Sequence, residues 1–127
     1  MTTKVSSNMV DTDLSTYEFT REIGSPTAGE IYTVSNAVLN PFEIIAVNYN
    51  HKNSSGTATS QFDILKNGSP ISEYENLVTV DAQVTQAVGT PGASGNQLAS
   101  GDTLEIEVDS VGANCDYIVI TFHCRVL

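Results

Sequence analysis

The stretch DYIVITFHCRVL, residues 116–127, places Ile118, Ile120, Phe122, Cys124 and Val126 on one face of an extended chain and Tyr117, Val119, Thr121, His123 and Arg125 on the other. Successive side chains of a strand point to opposite faces, so this period of two predicts a β-strand. Apolar residues occupy both faces near its start, which predicts a central position in a sheet. Just upstream, DTLEIEV (102–108) alternates strictly. Leu104, Ile106 and Val108 turn inward there, and Glu105 and Glu107 turn to solvent.

Earlier segments repeat the pattern. FEIIAVNYNHK (42–52) predicts a strand with Ile45, Val47 and Tyr49 on one face. ATSQFDILKNGSPIS (58–72) alternates around Phe62 and Ile64 and then reaches Asn67-Gly68, a pair that tolerates positive φ and so predicts a hairpin turn. NLVTVDAQVTQAV (76–88) sets Val78, Val80, Ala82 and Val84 against Thr79, Asp81, Gln83 and Thr85, and YEFTREI (17–23) and EIYTVSN (30–36) supply two shorter strands. About seven short β segments without an amphipathic helix predict an all-β chain, a single antiparallel β-sandwich or jelly-roll-like domain over residues 16–127.

TTKVSSNMVDTDLST (2–16) has the periodicity of neither helix nor strand, and residues 1–15 read as an extended N-terminal arm. A polar arm with few apolar side chains gains too little burial to offset its ordering entropy alone, so it is expected to order against another chain. GTPGASGNQLASGD (89–102), rich in Gly, Ser, Ala and Pro, predicts an exposed loop.

At 127 residues the chain has the size of one domain. Fifteen acidic against five basic residues give a formal charge of −10. That charge repels phosphate backbones and anionic lipid, which argues against nucleic-acid and membrane partners. No apolar run approaches bilayer-spanning length, and the first residues lack the apolar core of a signal peptide, so the expected site of synthesis is a cytosol. Cys115 and Cys124 lie in one predicted strand, which would hold them roughly 25 to 30 Å apart, whereas a disulfide needs about 7 Å. Free thiols are the expectation.

The chemistry-bearing residues form no catalytic pattern. His51 lies at the polar end of a strand beside Lys52 and Asn53 and reads as an exposed turn histidine. His123 reads as partly buried and hydrogen-bonded. His123 and Cys124 point to opposite strand faces and cannot easily share a metal ion with Cys115. Glu105 and Glu107 share a solvated face but lack the cleft of a glycosidase pair. Asp102, Asp109 and Asp116 bracket strand ends, where turn chemistry accounts for them without calcium. The expectation is no enzyme, no cofactor and no metal.

From residue 42 onward the order of features resembles small β-sandwich modules in virion proteins of tailed bacteriophages, namely capsid decoration or cement proteins and fibre heads. It runs through GTATSQFDILKNGSPIS with its turn, a valine-alternating strand, a Gly/Ser loop, LASGDTLEIEVDS with Gly101-Asp102, and the closing DYIVITFHCRV. TKVSSNMVD (3–11) is similar to linkers of phage fibre and spike proteins that pack on a neighbouring subunit. The resemblance implies a structural virion protein, made in the host cytoplasm. It would bind the outer capsid surface as a homo-oligomer, with a trimer favoured, and its partner would be the major capsid protein or another virion protein. Val5, Met9, Val10 and Leu14, the few apolar residues of the arm, are the candidate partner contacts. The alternative is a carbohydrate- or receptor-binding head of a fibre or spike. In that reading Tyr74 of SEYENL, expected to be exposed, offers a glycan platform.

Overall fold

The structure, a computed structural model, describes residues 15–53, 58–80 and 83–127. Ten strands follow in order: β1 (Thr16–Gly24), β2 (Ile31–Ser35), β3 (Phe42–Asn53), β4 (Gln61–Lys66), β5 (Ser69–Pro70), β6 (Leu77–Val78), β7 (Thr85–Val88), β8 (Gln97–Leu98), β9 (Leu104–Ser110) and β10 (Cys115–Val126). Short 3-10 turns span Ser72–Tyr74 and Ser94–Asn96. One sheet runs β1-β10-β3-β7, with β8 also on β3. The other runs β2-β9-β4-β5, with β6 also on β4. All pairings are antiparallel, and the strands of four or more residues (β1, β2, β3, β4, β7, β9 and β10) alternate between the sheets along the chain, which is the jelly-roll arrangement of a β-sandwich.

The period of two is realised where a strand pairs on both sides. In β10 the inward set is Ile118, Ile120, Phe122 and Cys124, each buried, and the strand lies between β1 and β3 as expected. In β9 Leu104, Ile106 and Val108 are fully buried between half-exposed Glu105 and Glu107. Asn67 and Gly68 have φ of 52° and 81°, the double positive φ that closes the two-residue turn between Lys66 and Ser69. Across the sandwich Tyr49 meets Phe62 edge-on at 5.2 Å, and within its own sheet Phe19 stacks on Phe122 at 4.8 Å. Each such buried side chain contributes on the order of 1.5–3 kcal/mol of transfer free energy.

Two predicted faces are corrected. Between His123 opposite Ala46 and Cys124 opposite Ile44 the ladder slips, leaving Ile45 as the extra residue of a β-bulge. Ile44, not Ile45, therefore shares the core face with Val47, Tyr49 and His51. Residues 76–88 are also not one strand. Leu77–Val78 pairs with β4 in one sheet, while Thr85–Val88 pairs with β3 in the other. Of the valine face, Val78, Val80 and Val84 are exposed, while Leu77 and Thr79 are buried; Ala82 lies outside the described residues.

Candidate partner-contact surface

β1 and β2 are edge strands on the same margin of the sandwich. Arg21 Nε donates to Thr33 O across the margin at 3.3 Å, and Thr27 N donates to Tyr32 Oη at 2.9 Å, which closes the margin at that end. Toward the start of β1 the sheets part. A cleft of about 350 Å³ opens there, lined chiefly by Tyr17, Phe19, Val34, Leu39 and Phe42, with Leu104 at its floor. Tyr17 and Phe19 each meet Phe42 edge-on at 6.1 Å, so the walls are fixed by packing. Tyr17 is 39 % exposed and Leu39 84 %, an unusual exposure for apolar side chains on a cleft rim.

The outer face of β1 carries Glu18 and Glu22, both exposed. His123 Nδ1 lies 3.7 Å from Glu18 Oε2 on the next strand. The expected partial burial of His123 is present, but its Nε2 is buried with no hydrogen-bond partner.

The loop after β7 is pinned by acidic side chains. Glu43, fully buried, accepts from Gly92 N at 2.9 Å and from Arg125 Nη2 at 2.7 Å. Burial alone would raise its pKa. The Gly92 N–H, Arg125 and Gln97 outweigh that and hold it below its ordinary value. Glu73 takes hydrogen bonds from Thr90 N and Oγ1 and from Asn96 Nδ2, which lower its pKa in turn. Lys66 Nζ reaches Gln97 O at 3.1 Å. Asn96 and Leu98, expected in an exposed loop, are 1 % exposed.

Two expected side-chain placements are overturned. Tyr74 is completely buried, and its hydroxyl donates to Ile44 O at 3.0 Å. It offers no glycan platform, and the fibre-head alternative loses the residue that supported it. His51 is likewise completely buried, with Nδ1 hydrogen-bonded to Thr79 Oγ1 and Nε2 without a partner. Both were misplaced because polar neighbours in sequence were read as solvent exposure, whereas chain 28 to 30 residues away covers them. Cys115 and Cys124 are not joined in a disulfide, as expected.

Of the three aspartates at strand ends, Asp102 is occupied in turn chemistry, accepting from Ala99 N at 2.8 Å and Asn67 Nδ2 at 3.0 Å. Asp109 instead gathers with Asp63 and Glu107, their carboxylate oxygens all within 4.8 Å. Partial burial, then a hydrogen bond to Asp63 and repulsion from Asp63 and Glu107, push the Asp109 carboxyl up to about 6. Asp63 Oδ1 already accepts from Asn76 N at 2.6 Å. The arm residues Val5, Met9, Val10 and Leu14 lie outside the described residues.

No protein-family model matches the chain, and no curated protein matches it. Solved structures do. The fold overlays a chain from the capsid of Ralstonia phage GP4 with a TM-score of 0.58 at 12 % identity, covering 88 % of this chain and 84 % of that one. The likeness is one of fold. An acid-stable capsid chain of Helicobacter pylori bacteriophage KHP30 follows at TM-score 0.46 and 12 % identity, over 87 % of each chain. The catalytic domain of a GH87 α-1,3-glucanase aligns at TM-score 0.40 and 14 % identity, over 84 % of this chain but 22 % of its own. Neither of these two overlays carries an argument.

Proposed function

We propose that this chain is a non-enzymatic structural virion protein that binds the outer surface of a phage capsid as a decoration or cement protein. The observation that supports it is the overlay on the GP4 capsid chain, which runs nearly end to end in both molecules rather than over a shared fragment. Fold alone does not fix function. The surface is nonetheless of the kind a static building block uses: an open, packed aromatic cleft beside a long edge strand.

In this reading the protein assembles as a homo-oligomer, with a trimer favoured, and resides on the capsid surface. Val5, Met9, Val10 and Leu14 of the arm contribute apolar contacts to neighbouring virion subunits. The test is co-sedimentation of purified protein with undecorated particles, with occupancy counted by electron microscopy. Saturation at a fixed number of copies per particle is the expected result. Failure to bind any particle of the source phage removes the proposal.

A further inference from the structure

The margin of the sandwich at β1 poses a specific recognition problem. β1 is hydrogen-bonded to β10 on one side, and no strand among the described residues lies on its other side. Such an edge is a template for an added strand. The added strand would have to satisfy two surfaces at once, the aromatic cleft on the inner side and Glu18 and Glu22 on the outer side. A second β1, paired antiparallel about Thr20, would set Glu18 opposite Glu22 of its mate. Like charges directly opposite one another destabilise a strand pair.

Residues 1–10 meet both requirements. In a chain with fifteen acidic side chains, this stretch contains none and carries one lysine, Lys4. Laid out as a strand, residues 4–10 put Val5, Ser7 and Met9 on one face and Lys4, Ser6, Asn8 and Val10 on the other. The first face supplies apolar side chains to the cleft, and the second brings Lys4 to the glutamates. This alternation is too weak to specify a strand in isolation, and it acquires meaning only beside an edge that supplies the hydrogen bonds. Seven residues extend for about 23 Å, within the roughly 30 Å length of β1.

We propose that the β1 margin is a docking site for residues 4–10 of a second copy of this chain, added as a strand that seats Val5 and Met9 in the Tyr17–Phe19–Leu39 cleft. The described chain begins at Ser15, whose carbonyl accepts from Val126 N at 2.6 Å, two residues before Tyr17 of the cleft wall. Were the segment to double back onto its own β1, the reversal would set Asp11 and Asp13 beside Glu18. Docking on a neighbour carries those charges away into the span between copies. This inference rests on the homo-oligomeric part of the proposed function and names the surface that makes it.

The test uses full-length protein without particles, so its outcome is separate from capsid binding. Sedimentation equilibrium should find the wild type associated. Two variants each remove one half of the contact: Val5→Asp with Met9→Asp in the arm, and Leu39→Asp on the exposed cleft rim. Each alone should sediment as a monomer, with association weakened more than about 100-fold by unpaired carboxylates in an apolar contact. An equimolar mixture of the two should recover a complex, because one intact arm still meets one intact cleft. Lys4→Glu should weaken association about 5-fold, and Glu18→Lys should restore it. Thermal melts by circular dichroism confirm that each variant is folded. A wild type monomeric at about 100 µM, an oligomer that survives the arm substitutions, or a mixture that stays monomeric would each overturn the proposal. A monomer that still decorates particles would do so while leaving the virion reading intact.

Discussion

The Glu43 carboxylate, with no exposed surface, accepts a 2.7 Å hydrogen bond from Arg125 Nη2 on the neighbouring strand and a 2.9 Å bond from Gly92 N in the loop above. One carboxylate thus ties β3, β10 and the loop together. Replacing Glu43 with alanine should cost about 2–3 kcal/mol, because the Gly92 N–H and a half-buried guanidinium lose their acceptor. Since the folded pKa lies below the ordinary 4.5, the stabilisation is present above that value and is lost as pH falls through the folded one. Urea denaturation at pH 7 and at pH 3.5 should show the difference between wild type and variant shrinking at the lower pH.

Asp109 has the opposite sign. Its carboxyl is raised from 3.8 to about 6 by partial burial and by the Asp63 and Glu107 charges beside it. Its contribution is most favourable below 3.8 and is lost as pH rises through about 6. Asp109→Asn should therefore raise the melting temperature at pH 7 by a few degrees and leave it nearly unchanged at pH 4. A melting temperature lowered by the substitution at pH 7 would show that the cluster is held by something other than repulsion.

Gly89 donates its N–H to Ile45 O, and its α-carbon faces Tyr74 and Asn96 so closely that a β-carbon would lie 2.7 Å from Asn96 Nδ2. Gly89→Ala should destabilise the domain by about 2–3 kcal/mol through overpacking against Tyr74 and Asn96, whose side chains are held by hydrogen bonds to Ile44 O and Glu73. Tyr74→Phe, which keeps the ring and leaves Ile44 O without its donor, should cost about 1 kcal/mol. Thermal denaturation of the two variants separates the terms.

The thiols should differ in reactivity. Burial pushes Cys124 up to about 12, so almost no thiolate forms at neutral pH, while Cys115 is partly accessible. Native protein treated with iodoacetamide should be alkylated at Cys115 well before Cys124, and unfolded protein should be alkylated at both without reductant. Mass spectrometry of the digest reads this directly, and a linked Cys115–Cys124 peptide would contradict the straight course of β10.

What could be read from sequence divides along a physical line. β9, β10 and the Asn67-Gly68 turn were legible because alternation and turn stereochemistry are local properties. The phase of β3 was not, because the bulge at Ile45 is a property of its pairing with β10. Tyr74 and His51 sit among polar residues in sequence, and only the folded sheets show that Ile44 and Thr79 receive them. The β1 cleft had no sequence signature beyond Tyr17 and Phe19 two residues apart, because its other wall comes from the chain around Val34 and Leu39. Its proposed occupant was visible from the start as Val5, Met9 and Val10 in a polar stretch, though without a surface to receive them.

The position of β10 bears on how the molecule is made. β10 lies between β1 and β3, so the strand on which β1 pairs among the described residues is synthesised about 100 residues after it. Thr20 and Thr121, whose hydroxyls meet at 3.0 Å, are 101 residues apart. At ribosomal rates of about 5–20 residues per second, β1 waits roughly 5–20 s for its partner. During that interval Phe19 and Tyr17 cannot stack into place, and their strand is open to pairing with other nascent chains. The sandwich therefore cannot be completed until β10 has been made. Ribosome-bound chains arrested before residue 115 should remain protease-sensitive throughout, and an N-terminal segment that shields β1 in the meantime would raise the yield of soluble protein.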